Sequence, residues 1–391
     1  MVDIPIRSLP FPEEYDPPVT TAYWREWQDK LPGKRARPVV VLHGGYGKRN
    51  LGDEAILHVL LAQIREALPE ARIVALCHGP QEVQRQYGIE AYHFASLGAL
   101  RAILAADLYI IGGGGIINRI NIYSGWQRGR ALDPKGKFLF LAAALAKAHG
   151  ARVIFQAIGA TSLPDPVVGW LARWAMNRAD AVSVRDPLSR QVLQELGLRQ
   201  EIRVVPDPAA TLEAVAPSVA QAILRREGID PDERLVGLNF RPVVEQDIDN
   251  SETARTVAHL VDWMIESYGG RACFLPFGRH PHKTVEDDVS MARKVETYVR
   301  HRDRFHILQH PCTPPEMKGV LGEMDICLLE RLHAAILAAG MGTPFLAISY
   351  EDKVAQFMRS IGLDDHLIPL REFTFDRARE KIQNLIAKVQ R

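Results

Sequence analysis

The feature that most restricts the fold of this chain is an alternation, met twice along its length, of short apolar runs, β-branched in the first series, with amphipathic segments. The first series is PVVVLH (38–43), ARIVAL (71–76), DLYII (107–111), ARVIFQ (151–156), AVSV (181–184) and IRVV (202–205). The second is RLVGLNF (234–240), ACFLPF (272–277), FHILQ (305–309), DICLL (325–329) and PFLAIS (344–349). Apolar runs separated by helical segments belong to parallel sheets with helices on both faces, so each series predicts one doubly wound, Rossmann-like α/β domain. The pattern breaks at 211–232, where a helical stretch (218–227) ends in the turn signal Gly-Ile-Asp-Pro. The expected division is a proline- and charge-rich N-terminal arm at 1–37, a first domain at 38–215 and a second at 216–391.

A chain of 391 residues, 47% of them hydrophobic, has enough apolar material for two cores. Its 48 basic and 47 acidic residues give a net charge of +1, so no overall field draws it to nucleic acid or to an anionic membrane, and any bound anion needs a local basic cluster. Four scattered cysteines, Cys77, Cys273, Cys312 and Cys327, form no C-x-x-C pair. Neither a zinc knuckle nor a disulfide framework is indicated, and a cytoplasmic setting is expected. The longest apolar run, 138–146, stops at Lys147, so no transmembrane helix is expected. Peripheral association with a membrane stays open, as does the oligomeric state.

Chemistry gathers at three places. HGGYGKRNLGDEAIL (43–57) joins the first strand to a helix; its glycines, Gly45 and Gly52 among them, allow a ligand close to the main chain, and Asn50 or Asp53 is placed to cap the helix. A glycine turn is also what any first strand of a parallel sheet needs, and the spacing is not that of a dinucleotide site. Four glycines, Gly112 to Gly115, follow DLYII and precede Asn118 and Arg119. So many in a row, Gly113 and Gly114 at the centre, point to a close approach at the sheet edge. The third place is ERLHAAILAAGMGTPFLAISYEDKVAQF (330–357), which sets Arg331 and His333 after one strand and Tyr350, Asp352 and Lys353 after the next. With Arg241 after GLNF, these make a basic pocket suited to carboxylate or phosphate. Taken singly, Arg331 reads as a structural ion pair with Glu330 or Asp325. Arg185 reads either as an arginine facing a cleft or as a structural one, Asp186 as a helix cap and Asp207-Pro208 as a turn. His280, His282, Asp287 and Asp288 are metal-ligand types without an i, i+4 His pair, and read as a solvated loop and helix start.

Two such domains facing a cleft would have the glycosyltransferase-B architecture. On GYGKRNLGDEAIL, VRDPLSRQVLQELG (184–197) and RLHAAILAAGMGTPFLAISYEDKVAQF, the chain resembles the polysaccharide pyruvyltransferase family over about 39–357. The resemblance implies an enzyme that transfers the pyruvyl group of phosphoenolpyruvate to a sugar as a ketal, in the making of cell-surface polysaccharide. Arg331, His333 and Lys353 match the family's donor pocket and Arg241 its arginine after the first strand of the second domain. In that reading Arg331, Arg241 and Lys353 clamp the anions, with Tyr350 beside them, and His333 moves the proton. Arg185, Gly45, Asn50, Gly52, Gly113 and Gly114 line the acceptor side, with Asp53 a sugar contact or the base. Phosphoenolpyruvate enters as donor substrate and no metal or cofactor is required; the acceptor sugar, free or lipid-linked, is not specified. A nucleotide-sugar glycosyltransferase or epimerase of the same architecture, or a non-catalytic sugar-binding relative, remains the alternative.

Overall fold

The computed structural model describes residues 9, 11–32, 37–117, 134–161, 166–243, 248–280 and 287–389. Asn118, Arg119 and His282 lie outside the described residues. Arg49–Gly52 and Ala209–Arg391 belong to one compact unit, the C-terminal unit; Glu13–Lys48 and Asp53–Pro208 belong to the other, the N-terminal unit. The chain thus enters the C-terminal unit for four residues long before Ala209.

The N-terminal unit is built on β1 (Val39–His43), β2 (Arg72–Cys77), β3 (Glu90–His93), β4 (Leu108–Gly112), β5 (Gly115–Ile117), β6 (Arg152–Ala160), β7 (Ala181–Val184) and β8 (Arg203–Val204). Its sheet runs β3-β2-β1-β4-β6-β7-β8, with β5 paired to the far end of β6, and every pairing is parallel. Val40 lies opposite Ile73 on one side and Leu108 on the other, which fixes the register of the central strands. Every residue of β1 and β4 is buried, as expected for strands covered on both faces. The segment expected as an arm carries a helix, Thr21–Gln28. Its Trp24 is fully buried and donates from Nε1 to Gln63 at 3.0 Å, and Thr21 and Arg25 donate to Glu66 at 2.9 and 3.0 Å, so apolar burial and these hydrogen bonds fasten it to the unit.

The C-terminal unit is built on β9 (Leu235–Asn239), β10 (Arg271–Phe274), β11 (Phe305–Ile307), β12 (Ile326–Leu329), β13 (Phe345–Ser349) and β14 (Leu367–Pro369). Its parallel sheet has the order β11-β10-β9-β12-β13-β14, the doubly wound pattern in which the winding direction reverses beside the first strand. Such sheets bind ligands outside the carboxyl ends of their strands at that reversal. The reversal lies between β9 and β12 here, and between β1 and β4 in the N-terminal unit. Each unit has its own apolar core, and the four cysteines are buried thiols. Among the described residues no helix is long and apolar enough to cross a membrane.

Candidate functional site

In the C-terminal unit the reversal point gathers charged side chains from β9, β12 and β13. Arg331 is the N-cap of the helix Leu332–Met341, which places His333 in that helix's first turn. The Arg331 guanidinium grips Asp288, Nε donating to Oδ2 at 2.8 Å and to Oδ1 at 3.1 Å. The partner of Arg331 is therefore Asp288, 43 residues away, and not Glu330 or Asp325. Those two are engaged elsewhere: Asp325 accepts the Leu235 N–H at 2.7 Å and Glu330 the Arg241 N–H at 3.0 Å. The expected helix start is present, the helix running Asp288–Tyr298, but the expectation that Asp288 is solvated is corrected. Its side chain is wholly buried and also accepts from the N–H groups of Phe277 and Gly278 at 2.9 and 3.0 Å and from Asn239 Nδ2 at 3.3 Å. An ionised carboxylate survives burial only with such a set of donors.

Arg241, Tyr350 and Lys353 form a second group. The guanidinium of Arg241 and the ammonium of Lys353 each lie 5.2 Å from the centroid of the Tyr350 ring. Arg241 also donates to the Tyr350 hydroxyl at 3.2 Å, and Lys353 pairs with Glu351 at 2.8 Å. A tyrosine ring attracts cations, and here two lie against it. Burial alone would lower the pKa of Lys353, but Tyr350 and Glu351 outweigh it and hold the ammonium above its usual range. Burial likewise opposes ionisation of Glu351, yet Lys353 and Arg241 hold it below the usual carboxylate range.

Between these groups sits Glu330, fully buried, with Oε1 lacking a hydrogen-bond partner. Burial pushes its carboxyl up to about 8, against the pull of the Arg241 N–H and of the Arg241 and Arg331 charges. Burial thus works against a full negative charge on Glu330 beside the two arginines. The sequence named it only as an ion-pair partner; its burial at a strand end between two arginines is the signal that mattered.

His333 has an unexpected neighbour. The segment Arg49–Gly52 runs along the loop after β10: Leu51 N–H donates to Phe277 O at 2.8 Å, Arg279 N–H to Arg49 O at 3.2 Å, and Asn50 and Gly278 form an antiparallel bridge. Asn50 caps the helix Leu51–Ala67 by accepting the Gly52 N–H at 3.1 Å. A Cβ on Gly52 would stand 2.1 Å from His333 Nδ1, so only glycine lets the imidazole occupy this place.

The remaining residues meet in the N-terminal unit. Cβ atoms on Gly45 and Gly114 would lie 3.1 and 3.3 Å from the two carboxylate oxygens of Asp53, so Asp53 stands between the two glycine turns. Gly113 and Gly114 have φ of 55° and 80°, the left-handed region that favours glycine. Glu54, which the sequence did not single out, holds the first turn by accepting the Gly47 N–H at 2.6 Å. Burial pushes its carboxyl up to about 7. His43 is buried against the Tyr109 hydroxyl at 2.6 Å, and burial lowers it to about 4. Arg185 is buried with its guanidinium over Gly159 and pairs with the equally buried Asp207 at 3.3 Å, while Asp186 caps the following helix through the Ser189 N–H. Asp207 is therefore an ion-pair partner as well as the residue before Pro208.

Among the described residues, His310, Cys312 and Glu316 have ligand-type atoms within 4.8 Å of one another. Arg226 donates to His310 Nδ1 at 3.0 Å, and Glu316 closes a capping box with Thr313, so two of the three have other work.

Residues 50–352, which include the Arg241, Arg331–His333 and Tyr350 positions, match the sequence pattern of the family described as polysaccharide pyruvyl transferase. The chain belongs to this family. The polysaccharide pyruvyl transferase family is one of transferases, and the match runs through both units. A curated relative is the amylovoran biosynthesis protein AmsJ of Erwinia amylovora, 24% identical over 213 residues that make up 50% of this chain and 48% of that protein. The chain thus matches about half the length of that relative. Solved structures with a similar fold include the UDP-GlcNAc 2-epimerase of Methanocaldococcus jannaschii, with a TM-score of 0.56 at 12% identity, covering 88% of this chain and 92% of that one. The E. coli ADP-heptose LPS heptosyltransferase II gives 0.52 at 11% identity, covering 90% and 100%. These likenesses fix the fold as two parallel α/β domains of the glycosyltransferase-B kind.

Proposed function

We infer that this polysaccharide pyruvyl transferase takes the pyruvyl group from phosphoenolpyruvate and attaches it to a sugar as a ketal, in exopolysaccharide synthesis. The observation that carries the reading is the pair of cations, Arg241 and Lys353, each 5.2 Å from the centroid of the Tyr350 ring, at the strand ends next to Arg331 and His333. Phosphoenolpyruvate brings a phosphate and a carboxylate on one carbon, and its transfer passes through a cation-like centre there. Fixed positive charge suits the two anionic groups, and burial of Glu330, which disfavours its ionised form, works to keep that charge in force. The name of the Erwinia relative, an amylovoran biosynthesis protein, supports the exopolysaccharide setting.

In the proposed reaction His333 delivers a proton to the methylene carbon, which becomes the methyl group. One sugar hydroxyl adds to the central carbon and loses its proton, phosphate departs with its bridging oxygen, and a second hydroxyl closes the ketal. Of the two hydroxyl protons released, one balances the proton taken up by the methyl group and the other leaves with phosphate. In the N-terminal unit, Asp53 between the main-chain surfaces of Gly45 and Gly114 suits a polyhydroxyl acceptor, with Asp53 a sugar contact or base. The test is phosphate release from phosphoenolpyruvate that depends on an added sugar acceptor. His333→Gln should keep donor affinity and lower turnover roughly a hundredfold, the usual size of general acid–base catalysis. Near-normal turnover at saturating donor would remove His333 from proton transfer. If nucleotide sugars raise the melting temperature and phosphoenolpyruvate does not, the donor assignment fails.

A further inference from the structure

Three helices of the N-terminal unit, Leu97–Ala105, Pro134–Ala148 and Pro166–Met176, pack side by side in that order on one apolar core. Their inner faces, with Ile103, Phe140 and Leu171, are buried, as amphipathic helices require. Their outer faces are unusual. Of the seven large apolar side chains exposed among the described residues, six lie on these helices: Leu97, Leu100, Leu104, Leu141, Val167 and Trp170. Leu97 is 74% exposed and Trp170 54%. Leu97, Leu100 and Leu104 follow the i, i+3, i+7 spacing of one helical stripe, and Val167, Trp170 and the half-buried Trp174 repeat it. Scattered exposed leucines mean nothing, but a concentration on adjacent helices marks an interaction surface.

The charges on the same helices indicate what covers it. None of the three contains an Asp or Glu, although the chain as a whole is nearly balanced at 48 basic to 47 acidic residues. Arg101 and Arg173 are exposed on the two outer helices. A second copy of the chain would set like charges against each other across a twofold contact. An anionic lipid surface instead takes the leucines and the Trp170 ring into the acyl boundary and pairs the arginines with headgroups. We propose that the outer face of these three helices is a docking surface for an anionic lipid bilayer. Lys147 is outside this charge argument because it pairs with Asp180 at 2.5 Å.

The proposal does not depend on the reaction assigned above, and its test needs no turnover. The full chain is sedimented with vesicles of phosphatidylcholine alone, or of phosphatidylcholine and phosphatidylglycerol in equal parts. Binding is expected to the mixed vesicles, to weaken in high salt, and to be much lower with phosphatidylcholine alone. The double variant Leu97→Glu, Trp170→Glu changes only exposed positions and should melt as the parent does, while vesicle partitioning drops by at least about tenfold. Arg101→Glu with Arg173→Glu should remove the preference for phosphatidylglycerol. The proposal is overturned if the parent does not sediment with mixed vesicles, or if the apolar variant binds them equally well. It is also overturned if the parent is a dimer that the apolar variant splits, with no effect on vesicle binding.

Discussion

Asp288 receives a guanidinium, two main-chain N–H groups and a side-chain amide, all without access to water. Removing one partner of a buried ion pair leaves the other charge uncompensated, which costs about 3–5 kcal/mol. Asp288→Asn should therefore destabilise the protein on that scale in urea unfolding; a loss within experimental error would mean that Arg331 does not depend on it. Glu330 behaves in the opposite way. Its folded pKa, near 8, lies above the ordinary 4.5, so its contribution to stability is complete below about pH 4.5 and is lost as the pH rises through about 8. Glu330→Gln keeps an oxygen for the Arg241 N–H and removes the titration. The variant should lose less stability than the parent between pH 5 and pH 8, by an amount on the order of 1 kcal/mol or more. Equal losses would place the Glu330 pKa in the ordinary range. At this scale the sequence displayed Arg331, His333, Arg241, Tyr350 and Lys353 because basic residues and a tyrosine gathered at strand ends are conspicuous. Asp288 was obscured because nothing local to residues 280–288 tells that its carboxylate turns inward to meet an arginine two strands away.

The elements were more legible than the contacts. The buried central strands of both sheets are largely apolar runs, and burial on both faces leaves that signal in the sequence. The strands that escaped, β3 (EAYH), β5 (GII) and β14 (LIP), are three or four residues long and carry a glutamate, a glycine or a proline. β3 and β14 close the edges of their sheets, where half-burial permits such residues. The start of the helix Leu51–Ala67 combines both cases. Its cap at Asn50 is readable from residue type, whereas the reason for Gly52 is not, because it lies in an imidazole from the far end of the chain. Gly52→Ala should raise helix propensity, by about 1 kcal/mol, while its Cβ displaces the His333 ring. The expected result is little change in melting temperature together with turnover reduced roughly tenfold to a hundredfold, the size of an ångström-scale misplacement. Unchanged turnover would show that the position of His333 is not critical.

For the whole molecule, the decisive fact is that the C-terminal unit is not contiguous. Its sheet and helices come from Ala209–Arg391, but the strip Arg49–Gly52 supplies the N–H that bonds Phe277 O, the carbonyl that receives the Arg279 N–H, and the glycine beside His333. The break in strand pattern at 211–232 lies close to the division at Pro208/Ala209, yet no periodicity could reveal four residues lent from so far upstream. A fragment beginning at Ala209 keeps an apolar core of its own and loses this strip. The carbonyl of Phe277 and the N–H of Arg279 would then turn to water, and the His333 ring would lose the surface on which it rests. Each lost hydrogen bond is worth about 0.5–1.5 kcal/mol, so the fragment should fold but melt early. A synthetic peptide of residues 46–60, added in excess, should raise its melting temperature by binding only the folded form. The same peptide with alanine at position 52 should raise it less, because the added Cβ meets His333 Nδ1 at 2.1 Å. If neither peptide shifts the melt, the strip contributes nothing to the unit beyond its covalent tether; if both shift it equally, Gly52 is not what seats the histidine.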